Sequence, residues 1–282
     1  LDDDRALVRL HAALPAPTPG APNSVSTVSM DAAGVVRRTG RIVARLVIGD
    51  RVFGRFVAPA GERVSPTEYT SIPQWWALAP MPPGLGFADA AACISPGLAA
   101  LAAIDAVQPR PGERVVVICG THPVSVLAIQ LARARGALVT TSGSSDSVGM
   151  LRALGAVEVM DTGDGDLNAG IRRRHPGGVS AVIDAVGDSA AVTLRAQLLR
   201  AGGRLAAVGG SPRPADFARR RATAVRVLPR PTTARLLELA AAVHDLGLIL
   251  GPLRQDAWPS PGLPGLPRRR EAGLASGRSR FS

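Results

Sequence analysis

From residue 114 onward, short runs of β-branched residues alternate with segments whose apolar residues recur at helical spacing, and this alternation sets the fold class. Arg114-Val115-Val116-Val117-Ile118-Cys119 has the composition of a buried strand. Val124, Leu127, Ala128 and Leu131 then share one helical face, and Gly136 stops the helix. Further strands are expected at 137–141, 157–160, 179–186, 204–208 and 223–228, with helices near 150–154, 189–199 and 232–246. Parallel strands need crossover connections, so the alternation predicts a sheet covered on both faces. Six such units predict an α/β fold with a doubly wound parallel sheet of the nucleotide-binding kind.

The first third of the chain reads differently. Residues 7–12, 33–37, 41–47 and 51–57 are short strand candidates separated by Gly and Pro, which predicts a β-rich unit over 1–86. An apolar helix over 87–107, interrupted at Pro96-Gly97, leads into a sheet unit spanning 87–250. Residues 251–282 open with a Gly/Pro-rich stretch and continue through Arg268-Arg269-Arg270, the composition of an extended tail.

Composition narrows the function classes. The chain has 282 residues and is 46% apolar, enough for two modest domains. Its longest apolar stretch, 88–107, is broken by Asp89, by Ser95-Pro96-Gly97 and by Asp105, so no membrane span is expected. The opening Leu1-Asp2-Asp3-Asp4 lacks the pattern of a signal peptide. The two cysteines make neither a disulfide framework nor a four-thiolate zinc site, which points to a cytoplasmic location. All basic residues are Arg, and of the net charge of +11 residues 211–282 hold +8. No nucleic-acid motif accompanies that charge and only 3% of residues are aromatic, so it reads as solvated surface and not as a nucleic-acid site.

Taken in order, DAAGVV (31–36), GDRVFG (49–54), the run 87–101, PGERVVV (111–117), AIQLARARGA (128–137), LRALGAVEVMD (151–161) and AGGRLAAVGG (201–210) resemble the medium-chain dehydrogenase/reductase family, of the zinc-independent quinone oxidoreductase and polyketide enoyl reductase type. The resemblance covers about residues 5–250. It implies a GroES-like β-barrel domain plus a Rossmann domain, with NADPH and a hydrophobic small-molecule substrate in the cleft between them. It also suggests a homodimer through the edge strand at 223–228. Zinc-dependent relatives carry Cys and His-Glu ligands where this chain has Ser29-Met30-Asp31, so zinc is not expected. Asp31 resembles the family's cleft-side acid, with turn capping as the alternative. Phe53, Trp75, Trp76 and Cys93 are expected to line the substrate cleft, with core packing as their alternative. Tyr69 is a candidate proton donor or a structural residue. His11 and Arg152 read as structural and surface residues, and Asn23 and Ser24 as turn formers.

The nucleotide loop departs from the family pattern. Where relatives have three glycines at three-residue spacing, this chain has Cys119, His122 and Ser125, with Gly120-Thr121 and Pro123-Val124 between them. Those glycines make a tight turn, let the pyrophosphate approach the backbone and bring helix against strand. Pro123 suits a first helical position but has no N–H to offer an anion, and His122 puts a ring where backbone should meet phosphate. The expectation is a loop that keeps its helix and loses its phosphate cradle. The alternative is a shifted loop led by Gly120 that still binds NADPH, with His122 protonated against phosphate and Ser142, Ser144 and Gly209 as further contacts. The segment 140–145 has no acid for an NAD ribose, which disfavours NAD, and no Arg to clamp a 2′-phosphate, for which Ser142 and Ser144 offer weaker contacts.

Three function classes follow. The first is a scaffold that has lost its dinucleotide and uses its cleft for cyclisation, cycloaddition or isomerisation of a hydrophobic molecule such as a polyketide, with His122 beside Asp31 and Tyr69 as catalytic candidates. The second is an NADPH-dependent quinone or enoyl reductase. The third is a non-catalytic binding protein. NADPH binding separates the first two.

Overall fold

The structure, a computed structural model, describes residues 1–16, 29–57, 69–161, 163 and 166–250. Five antiparallel strands make the first sheet: β1 (Arg5–Ala16), β2 (Ser29–Thr39), β3 (Arg51–Val57), β4 (Tyr69–Pro73) and β5 (Leu78–Pro80), in the order β4-β1-β2-β3-β5. β1 is longer than its alternation suggested, and its pairing with β2 shifts between Leu7 and Val8 and again between Leu10 and Ala12. The strand expected at 41–47 does not form. Ile42 and Val47 are 60% and 67% exposed, so their apolar side chains have no sheet face to bury against. The segment instead makes the connection between β2 and β3, held by an Arg41–Asp3 ion pair at 2.7 Å and by Asp50 accepting from the Val47 N–H at 2.8 Å.

The second unit opens with α1 (Phe87–Val107), followed by β6 (Arg114–Ile118), α2 (Pro123–Ala134), β7 (Leu138–Gly143), α3 (Val148–Ala153), β8 (Ala156–Asp161), α4 (Leu167–Arg174), β9 (Val179–Asp184), α5 (Ser189–Leu194), β10 (Leu199–Ala207), α6 (Pro214–Ala218), β11 (Thr223–Arg226) and α7 (Thr233–Asp245). Its six strands are parallel and run β11-β10-β9-β6-β7-β8. The chain moves outward from β6 to β8, then returns to start again at β9 on the other side of β6. The β6–β9 boundary is therefore the topological switch point, where a doubly wound sheet opens a crevice beyond its strand ends. The α/β fold expected from the sequence is the fold observed.

The strands β9 and β11 end at 184 and 226, two residues short of the expected ends, and two helices differ as well. The helix expected to reach residue 199 ends at Leu194, and a 3₁₀ turn over Arg195–Leu198 leads directly into β10. α4 was not anticipated because it is polar; Asp166 starts it, accepting from the Asn168 and Ala169 N–H groups at 2.8 and 3.2 Å.

α1 joins the two units. It is long and apolar enough to cross a membrane, but most of it is buried within the protein. One continuous core links Ala33 and Phe53 of the first sheet, Ile94 and Leu101 of α1, and Val115 and Ile129 of the second unit. The interruption expected at Pro96-Gly97 does not occur, and the helix runs through both residues. Pro96 removes one helical hydrogen bond. Gly97 admits a neighbour: a Cβ there would stand 2.5 Å from Leu239 Cδ1 of α7. The tail expected at 251–282 and the turn formers Asn23 and Ser24 lie outside the described residues.

Candidate functional site

The switch-point loop begins where β6 ends. Cys119 adopts the left-handed conformation, with φ of 55°, and so makes the tight turn that the family assigns to glycine. Its N–H donates to Ser142 Oγ at 3.0 Å, and the Gly120 N–H donates to the Ser142 carbonyl at 2.7 Å, so the end of β7 holds the turn. Gly120 is needed for space: a Cβ would meet Thr141 Oγ1 at 2.5 Å and Leu151 Cδ2 at 2.7 Å. Thr121 is exposed, and the His122 N–H closes the turn on the Cys119 carbonyl at 2.9 Å.

His122 is the N-cap of α2. Its Nδ1 accepts from the Val124 N–H at 3.3 Å, and Pro123 occupies the first helical position. Burial lowers the imidazole pKa below its ordinary value. Ser125, at the third glycine position, is fully buried and donates its hydroxyl to the Ile118 carbonyl at 2.9 Å, so the small polar side chain is satisfied inside the helix–strand contact. The neighbouring strand ends complete the crevice. Ser142 is buried and committed to the loop, Ser144 is exposed after β7, and Gly209 is exposed after β10. At the end of β9, Asp184 accepts from the Val186 and Gly187 N–H groups at 3.1 and 2.7 Å and from Arg195 Nε at 3.1 Å; Arg195 also reaches Asn168. This buried anchor went unread in the sequence, although a strand-terminal Asp two residues before Val186-Gly187 is its local signal.

The remaining predicted residues do not gather at this loop. Asp31 of β2 is not a free acid. Its Oδ1 accepts from Arg55 Nε at 2.9 Å, and its Oδ2 accepts from the Ser95 N–H at 2.9 Å and from the Ser95 hydroxyl. It fixes the first sheet to α1 beside Pro96, where the helix is one hydrogen bond short. Phe53 and Cys93, expected along the cleft, are fully buried in the core, where burial pushes the Cys93 thiol far up from its ordinary pKa. Trp76 packs edge-on against Phe56 with ring centres 6.1 Å apart, which is the packing alternative, while Trp75 is 64% exposed. Tyr69 opens the edge strand β4 opposite Arg9 and is exposed. His11 stacks on Phe87 at 4.3 Å, and Arg51 lies over the same ring. Two grooves lie elsewhere. One, of about 530 Å³, is walled by α5 and α6, and the other, of about 320 Å³, lies between α1 and the β11–α7 connection.

Residues 123–228, from the start of α2 through β11, match the family model described as zinc-binding dehydrogenase. This region is similar to the medium-chain, zinc-binding dehydrogenase superfamily. Among the most similar curated proteins is the trans-enoyl reductase pgmF of Aspergillus terreus, 33% identical over 170 residues, which cover 58% of this chain and 47% of that protein. The spectinabilin polyketide synthase system protein NorB of Streptomyces orinoci is 34% identical over 181 residues, 63% of this chain and 8% of that protein. The chain thus spans about half the length of the fungal relative and a small part of the synthase. Among solved structures, the quinone oxidoreductase of Coxiella burnetii superposes with a TM-score of 0.71 at 24% identity, covering 88% of this chain and 81% of its own, a likeness of fold. The zinc of the superfamily's name does not fit here. Asp31 is taken by Arg55 and Ser95, and among the described residues no three His, Cys, Asp or Glu side chains converge.

Proposed function

We propose that the chain is an NADPH-dependent reductase of an activated double bond, an enoyl or quinone substrate with a hydrophobic body. The observation that carries this reading is the tight geometry of the switch-point turn, with Cys119 left-handed and Gly120 wedged against β7 and α3 although the glycine pattern is absent. The turn is placed for a dinucleotide, since it ends on the N-terminus of a twelve-residue helix at the crevice where doubly wound sheets put one, although Pro123 and the His122 cap leave that terminus fewer free N–H groups. The name of the fungal relative, a trans-enoyl reductase, supports reduction, and neither relative's name speaks for cofactor-free cyclisation.

The residues that would hold the cofactor are the loop 119–125, with Ser144 and Gly209 at the neighbouring strand ends as further contacts. The lack of a carboxylate at 140–145 favours NADPH over NADH. When bound, the cofactor supplies a hydride to the electron-poor carbon. The chain's own part is to hold the pyrophosphate at α2 and to keep the β9 end in place through Asp184.

The test is NADPH titrated against melting temperature and tryptophan fluorescence, followed by turnover with a quinone and a 2-enoyl thioester. A ligand at one hundred times its Kd stabilises a fold by about 2.7 kcal/mol. A clear upward shift with NADPH, a smaller one with NADH, and substrate-dependent NADPH oxidation are expected. No shift at millimolar NADPH together with no oxidation would overturn the reading.

A further inference from the structure

The start of α2 is short of donors for an anion. A free helix N-terminus offers several backbone N–H groups. Here Pro123 has none, and the Val124 N–H is occupied by His122 Nδ1 at 3.3 Å. A ring nitrogen that accepts a hydrogen bond carries no proton, so in this conformation His122 is neutral at Nδ1. It lies half-buried in the turn and covers an amide that a pyrophosphate would otherwise use. Protonation reverses this arrangement. An Nδ1–H cannot accept from Val124, so the cap opens, the amide is released, and the imidazolium becomes a charged donor beside the anion.

We propose that His122 is a proton-coupled binding residue for the dinucleotide pyrophosphate: neutral and capping α2 in the free protein, protonated and paired with phosphate in the complex. This rests on the reductase reading above. The step takes one proton from solvent onto Nδ1, breaks the Nδ1···H–N bond to Val124, and forms one N–H···O bond to phosphate. The direction of the free-state pKa agrees, since burial alone disfavours the imidazolium until an anion is adjacent. The titratable and charged groups at the neighbouring strand ends are Cys119 in the same turn, Asp146 after β7, Asp184 with Arg195 at β9, and Asp188 before α5. Asp184 is engaged by Arg195 and two N–H groups, and Asp188 caps α5 by accepting from the Ala191 N–H at 2.8 Å.

The sign follows from linkage. If the complex raises the His122 pKa above its free value, affinity increases as pH falls between the two pKa values and levels off below the lower one. At its steepest the change is about tenfold per pH unit. The experiment is calorimetric titration of NADPH into the full chain across the histidine range, in two buffers of different ionisation heat, for the wild type and His122→Asn. Asn is a favoured N-cap and keeps the start of α2, but it cannot take up a proton. The 2′-phosphate of NADPH has its own titration, which is common to both proteins and cancels in the comparison. Uptake of close to one proton by the wild type, lost together with the pH slope in His122→Asn, is expected. NADPH binding with the same pH dependence in both proteins overturns this inference and leaves the reductase reading standing. No binding by either protein at any pH overturns both.

Discussion

Asp31 faces Arg55 directly across the β2–β3 ladder, and both side chains are almost fully buried, 4% and 6% exposed. Two buried charges are tolerated when each satisfies the other and the remaining lone pairs find donors, which here come from the Ser95 N–H and hydroxyl. Asp31→Ala leaves the Arg55 guanidinium buried and unpaired, and a loss of about 3–5 kcal/mol in urea unfolding is expected. Replacing both, as Asp31→Leu with Arg55→Met, should recover most of that loss, because a well-packed apolar pair does not carry the desolvation cost of two ions. A catalytic acid would behave differently. Asp31→Asn would then abolish turnover without a large change in unfolding, whereas the geometry predicts a stability defect with NADPH affinity retained in the folded fraction. The family resemblance suggested an acid in the cleft, and the sequence could not correct it because the two partners, 24 and 64 residues away, are brought to Asp31 only by the fold.

α1 shows the same long-range control at the scale of an element. Gly97 in mid-helix costs about 1 kcal/mol relative to Ala by propensity alone. The residue is there because α7 crosses at that point, with Leu239 fully buried against it. Gly97→Ala is therefore expected to destabilise the protein despite its better propensity, by about 1–3 kcal/mol for an overpacked core. Leu239→Ala combined with it should cost less than the sum of the single changes, and a double-mutant cycle in denaturant checks the coupling. The elements that were readable in the sequence carry their own signal: the β-branched run 115–118, and the helix that Pro123 starts and Gly136 stops. The unreadable ones lack it. α4 holds Arg172, Arg173 and Arg174 with few apolar residues, so no hydrophobic period marks it. Residues 41–47 have apolar side chains but no neighbouring strand to pair with. In the nucleotide loop the missing glycines were plain, while the conformation that compensates for them was not. That Cys119 turns left-handed and His122 folds back onto α2 depends on contacts with β7 and on the cap itself.

At the scale of the whole molecule, the parallel sheet ends in an exposed edge. Among the described residues β11 pairs only with β10, Val225 is 48% exposed, and unpaired backbone groups along such an edge are a template for another strand. The Val227 N–H donates to the Ala207 carbonyl of β10 at 2.7 Å. Because N–H groups alternate along a strand, those of Ala224 and Arg226 point away from β10. An antiparallel pairing of two β11 strands centred on Val225 sets Ala224 opposite Arg226, with Val225 opposite its own copy on the two-fold axis. This register places no arginine against an arginine and brings the exposed Val225 side chains together, so the edge is complementary to itself. We propose a homodimer formed in this way, and sedimentation velocity at micromolar concentration should show it. Val225→Arg puts two like charges face to face at the axis, while the β10–β11 ladder keeps its hydrogen bonds. It should yield a monomer with an unchanged melting profile apart from the loss of concentration dependence. A wild-type chain that sediments as a monomer, or a Val225→Arg variant that still sediments as a dimer, places the association elsewhere or removes it.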